Sequence, residues 1–181
     1  MTYSHFYPLR PNVTLTPWHE LSLGWLITHE ESTSPVSGNY PAANRAFYIP
    51  FRLDAADTFV KLFVANGATA SGNIDVGVYS ESGTRLLSTG STAQSGTNTL
   101  QLFDITDTAF GPGYFYMAIA MDNTTGTVMQ SQPGGAARAN SIATWGVKQE
   151  ASAFPLPATA TFANGNALFM PLFGLSLVTD L

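Results

Sequence analysis

No stretch of about a dozen residues in this chain keeps its apolar side chains at the spacing of a helix; they alternate over short runs bounded by turn residues. In RAFYIPFRL (45–53), Phe47, Ile49, Phe51 and Leu53 fall on one face, with Ala46, Tyr48, Pro50 and Arg52 on the other. Pro50 has no amide to donate, so this strand belongs at an edge or a bulge. TFVKLFVAN (58–66) is apolar on both faces, Val60, Leu62 and Val64 opposite Phe59 and Phe63. Such a run suits a strand covered on both sides, and Lys61 should then lie near a strand end or an interface.

In GNIDVGVYSESGTRL (72–86), Ile74, Val76 and Val78 point one way, and Asp75, Gly77 and Tyr79 the other. SESG supplies a hairpin turn, and TRLLS (84–88) the returning strand. TNTLQLFDI (97–105), GYFYMAIAMD (113–122), TVMQS, SIATWGVKQ, ATATFAN and the C-terminal ALFMPLFGLSLV continue the pattern. Gly111-Pro112-Gly113 reads as the start of a hairpin, and QPGGAARAN (132–140) as a loop. About nine or ten short strands separated by Gly, Ser, Asn and Pro turns predict an all-β antiparallel sandwich, jelly-roll-like. No fixed repeat argues for a propeller or solenoid.

Residues 1–44 are different. Pro8, Pro11, Pro17, Pro35 and Pro41 punctuate them, and apart from one short alternating run in ELSLGWLIT (20–28) they lack the apolar content of a core. They are expected to form a Pro-rich N-terminal arm or wrap-around segment, with residues 45–181 as a single sandwich domain. MTYSHFYPLRPNV lacks a basic start followed by an apolar run, so it does not read as a secretory signal.

Charge narrows the partners. Charged residues are 10% of the chain, against about 25% in typical globular proteins. The net charge is −5, and the basic residues Lys61, Lys148, Arg10, Arg45, Arg52, Arg85 and Arg138 are scattered. Binding to nucleic acid draws on clustered cations that neutralise phosphates, so direct nucleic-acid binding is not expected. No apolar run approaches the ~20 residues that span a bilayer, and membrane insertion is not expected.

The residues give no enzymatic constellation. With no cysteine there is no thiolate nucleophile or thiolate metal site. His5, His19 and His29 lack the spacing of a zinc helix, no serine sits in a Gly-x-Ser-x-Gly turn, and neither lysine follows a phosphate-binding loop. Asp54/Asp57, Asp104/Asp107 and Asp75 could be imagined as a glycosidase pair. DAAD and DITD read better as turn and strand-end carboxylates bonded to backbone amides, and Asp75 as the polar side of a hairpin strand. A Ca²⁺ site in DNTTG or near Asp104 would lack the acidic twelve-residue loop that makes one specific. The expectation is a non-enzyme with no cofactor and no resident metal.

Aromatics are the remaining chemistry. Tyr79 and Trp145, with Tyr114, Tyr116, Trp18 and Trp25, could stack against the apolar faces of sugars, although Tyr and Trp also fill cores and subunit interfaces.

The segment from Asn44 to Thr127, a little under half of the chain, resembles tailed-bacteriophage virion-associated β-sandwich proteins. ANGATASGNIDVGVY, STGSTAQSGTN and GPGYFYMAIAMDNTTGT carry the resemblance. It implies a capsid-decoration, head-fibre or tail-associated role in the virion, assembled in the host cytoplasm, and supplies no catalytic residues. A protein of that kind would form homo-oligomers and dock on other virion proteins of capsid or tail. Phe59, Phe63, Trp18 and Trp25 are the interface candidates. A host surface glycan, met by Tyr79 and Trp145, is the alternative partner.

Overall fold

The computed structural model of the protein describes residues 36–131, 146–165 and 169–177. Among these residues there is no helix; all regular structure is antiparallel β. The strands are β1 (Val36–Asn39), β2 (Arg45–Leu53), β3 (Asp57–Ala65), β4 (Asn73–Ser80), β5 (Arg85–Ser88), β6 (Thr92–Ala93) and β7 (Leu100–Phe110). They continue as β8 (Gly113–Met121), β9 (Thr127–Ser131), β10 (Lys148–Glu150), β11 (Ala163–Asn164), β12 (Met170–Pro171) and β13 (Phe173–Ser176). These thirteen exceed the expected nine or ten because β1 falls in the segment expected to be an arm, β6 is a two-residue piece too short to show alternation, and the C-terminal run ALFMPLFGLSLV is divided into β12 and β13.

One layer is a sheet in the order β11-β10-β2-β8-β4-β5, with β6 also paired to β4. Facing it are two three-stranded sheets, β13-β3-β7 and β1-β9-β12. Leu172 joins these two: its amide donates to the Met129 carbonyl (2.8 Å), and its own carbonyl accepts from Ala65 (2.9 Å). The winding follows one folded ribbon. β2 pairs with β8 from Arg45↔Met121 to Leu53↔Gly113; both strands then turn the corner and pair again as β3 with β7, from Asp57↔Phe110. Rolling a long antiparallel ribbon across two layers is the jelly-roll construction. Gly111-Pro112 is therefore a corner between layers and does not start a hairpin. Gly111 has φ 107°, and a Cβ there would sit 2.6 Å from the Ala55 carbonyl oxygen, so only glycine fits this corner.

The core follows from alternation. Phe47, Ile49, Phe51 and Leu53 of β2, Ile74, Val76 and Val78 of β4, and Phe115, Met117, Ile119 and Met121 of β8 point inward. They meet Phe59, Leu62 and Val64 of β3, Phe103 of β7, Val128 of β9, and Phe173 and Leu175 of β13. Tyr40 and Phe169 close one end, Tyr40 lying edge-on to both Phe47 and Phe169. The N-terminal boundary consequently moves. β1 is paired with β9 and Tyr40 belongs to the core, so residues 36–44 are part of the sandwich; residues 1–35 lie outside the described residues.

A bulge corrects the phase of β3. Pairing with β7 jumps between Phe59↔Thr108 and Lys61↔Asp104, which leaves two extra residues on the β7 side. Phe59 thereby joins Leu62 and Val64 inside, and Phe63 turns to the opposite face. The same bulge interrupts β7, an eleven-residue edge strand, and helps to keep a foreign strand from adding to it. Asp104 and Asp107 lie within β7 and not at a strand end; Asp104 pairs with Lys61 at 3.0 Å, mid-strand on β3.

Candidate functional site

The outer face of the large sheet carries a polar cluster beneath a cover. Its floor is mostly small residues in register: Ala46, Ala120 and Asp75 form one row across β2, β8 and β4, and Tyr48, Ala118 and Gly77 the next. Alternation along each strand sends these side chains outward while their neighbours fill the core. The shallow floor admits a segment of irregular chain, residues 151–162, which leaves β10, crosses the sheet to the β4–β5 hairpin and returns to β11. Ala153, Phe154, Leu156, Ala160 and Phe162 of this strap pack with Ala46, Tyr48, Tyr79, Tyr116, Ala118 and Ala120 in a second apolar cluster, separate from the main core. The rings of Tyr48 and Phe162 lie 5.0 Å apart, and those of Tyr116 and Phe162 4.6 Å apart.

Polar side chains pin the strap along its length. Asp75 is fully buried; its Oδ2 accepts the Leu156 amide at 2.9 Å, and its Oδ1 accepts the Ser88 hydroxyl at 2.7 Å and the Thr89 hydroxyl at 3.2 Å. The Arg85 guanidinium donates to the Leu156 carbonyl, and the Tyr79 hydroxyl to the Pro157 carbonyl at 2.6 Å. Backbone bonds run from Ala153 to Asn44, Arg85 to Ala158 and Ala160 to Gly83. At the near end, Glu150 Oε2 accepts both the Tyr48 hydroxyl (2.7 Å) and the Thr161 amide (3.0 Å).

Burial pushes the Asp75 carboxyl above the usual carboxylate range. The Ser88 hydroxyl, the Leu156 amide, the Thr89 hydroxyl and the Arg85 charge pull the other way and offset only part of it. Burial likewise raises the Tyr48 and Tyr79 phenols well above their ordinary value, so both stay protonated and serve as donors. With both its oxygens engaged by donors, Asp75 acts as a clamp on the strap. Asp75 does stand on the polar side of its hairpin strand, opposite the core residues, and the strap covers that side.

Gly77 makes the close approach possible. A Cβ there would sit 2.6 Å from the Leu87 carbonyl oxygen and 3.0 Å from Leu156 Cδ1. Gly77→Val is expected to cost about 1–3 kcal/mol of stability through overpacking, read as a lower urea midpoint.

The aromatic and acidic candidates fall in different places. Tyr79 is fully buried beneath the strap and offers no ring to a sugar. Phe59 is in the main core. Phe63, opposite Leu102 and Gly174 on its neighbouring strands, is 4% exposed, so neither ring is presented to a neighbouring copy. Trp18, Trp25 and Trp145 lie outside the described residues. Among the described residues Tyr114 is the aromatic left open, 56% exposed, with the Arg52 guanidinium 5.6 Å from its ring centre and paired to Asp54 at 3.0 Å.

DNTTG is a hydrogen-bonded turn. Asn123 Oδ1 accepts the amides of Thr125 and Gly126, while Asp122 accepts the Asn73 amide, the Asn73 side chain and the Asn123 side chain. Slight burial raises Asp122, but these donors outweigh it and hold the carboxyl below its usual range. N–H groups already bind Asn123 Oδ1 and both Asp122 oxygens, so these side chains serve the turn itself. Among the described residues no three His, Cys, Asp or Glu side chains gather in a metal-binding group.

Sequence reasoning missed the strap and the role of Arg85. The one signal available was ASAFPLPATATF (151–162), an uncharged, proline-broken stretch too apolar for an exposed loop. Comparison with family models, with curated proteins and with solved structures gave no match to the chain.

Proposed function

We propose that the chain is a non-enzymatic structural component of a bacteriophage particle, a capsid-decoration or tail-associated protein that works through subunit and docking interfaces. The observation that carries this reading is the resemblance over residues 44–127, which supplies β2 through β8, the folded ribbon and the floor beneath the strap. A surface dominated by hydroxyls and amides, with few charges, is compatible with close packing in an assembly, where each buried charge would need a partner. With Phe59 and Phe63 already buried in the chain, docking falls to other surfaces. Light scattering after size exclusion, with co-sedimentation on purified particles, tests the reading. The expected result is a defined homo-oligomer that sediments with particles; a strict monomer that stays in the supernatant contradicts it.

One observation favours a second reading, a carbohydrate- or host-receptor-binding module. Tyr114 presents an open ring beside a guanidinium and a carboxylate, the groups that stack on and hydrogen-bond to a sugar. On this reading a glycan array gives a signal that Tyr114→Ala removes. An array at background for the unaltered protein rules it out.

A further inference from the structure

The strap is built as a separate unit. Its residues belong to the outer cluster, and none of residues 151–162 contributes to the main core. Its two ends are held together at the sheet margin, where Gln149 pairs with Ala163 and Glu150 binds the Thr161 amide. It can therefore lift from the sheet while both layers of the sandwich stay packed, in the manner of a loop whose local opening costs less than global unfolding. Closing the strap is also what takes Asp75 out of water, because Leu156 lies over it.

We propose that residues 151–162 form a pH-gated strap, closed most firmly in acid and opening locally as pH rises, with Asp75 as the titrating clamp.

The strap itself, ASAFPLPATATF, carries no charged side chain, so its titration is set by what it covers. Asp75 and Tyr79 come from β4, Arg85 from β5, Tyr48 from β2, Tyr116 from β8 and Glu150 from β10; Glu81 stands in the β4–β5 turn. The three phenols are all shifted upward and keep their protons through neutral pH, and Arg85 keeps its charge. Glu150 lies at the attached end of the strap, where β10 and β11 are already paired. Asp75 is left as the group under the middle of the strap whose charge changes. Its carboxyl, raised in the closed form, favours closure below the ordinary aspartate value, and that contribution is lost as pH rises through the raised one. When neutral it keeps its geometry: one oxygen still accepts the Leu156 amide, and the Ser88 hydroxyl turns to accept the new proton.

The test is amide hydrogen exchange by mass spectrometry on the whole chain between about pH 4 and pH 8, corrected for intrinsic exchange. Peptides from β8 provide the internal reference. The expected result is a severalfold loss of strap protection relative to β8 as pH rises, abolished in Asp75→Asn, whose amide reproduces the neutral acid. A strap protected as well as β8 across the range overturns the separate unit, and a pH dependence that persists in Asp75→Asn overturns the clamp. Should Asp75→Asn fail to fold, Tyr79→Phe carries the test. It removes the bond to Pro157, so it should raise strap exchange at every pH and leave the pH dependence in place. Unchanged strap exchange in Tyr79→Phe contradicts the proposal.

Discussion

Tyr40→Ala is expected to lower the stability of the protein by about 3–5 kcal/mol, among the larger effects of any single substitution. The ring is almost fully buried and lies edge-on to Phe47 at 5.7 Å and Phe169 at 5.1 Å. Its hydroxyl sits 2.6 Å from the Arg45 carbonyl and 2.9 Å from that of Ile119, across the ends of β2 and β8. Truncation opens a cavity where β1 meets the large sheet and removes the hydroxyl that donates to those carbonyls. Tyr40→Phe, which keeps the ring, should cost only about 1 kcal/mol. Urea denaturation checks both. A loss below about 1 kcal/mol for Tyr40→Ala would mean that residues 36–44 are a dispensable arm after all.

The second large effect is at Tyr79. Its ring meets Tyr48 edge-on at 5.1 Å, and its hydroxyl holds the Pro157 carbonyl. Tyr79→Ala should cost about 3–5 kcal/mol, and the strap should detach well before the sandwich melts. Tyr114→Ala is the control; on an exposed side chain it should stay within about 0.5 kcal/mol. Equal stability of the two variants would contradict the placement of Tyr79 beneath the strap.

Alternation made the large sheet legible in the sequence. The inward faces of β2 and β4 are the ones that Phe47, Ile49, Phe51 and Leu53, and Ile74, Val76 and Val78, announce. The hairpin turn at SESG is also where its composition puts it. What alternation cannot carry is its own interruption. The bulge opposite Phe59 shifts the phase of β3 with no glycine or proline to mark it, so Phe59 and Phe63 read as one face when they occupy two. Nor does a period of two say whether the outer face is wet. Asp75 stands on the side opposite the core, as its position requires, yet a segment about eighty residues away lies over it. That cover is irregular chain, held by side chains and scattered backbone bonds, and leaves no periodic trace. The same holds for Gln94, whose side chain ties Asn66 and Thr127, far away in sequence, across the end of the sandwich.

The proposed particle role is checked by locating the chain in purified tailed-phage particles, with cross-linking mass spectrometry through Lys61 and Lys148 alongside imaging of the particle. The chain is expected at a fixed copy number, cross-linked to capsid or tail protein and to its own copies. Particles that are complete and infectious without the chain, and show no such cross-links when it is supplied, would contradict it.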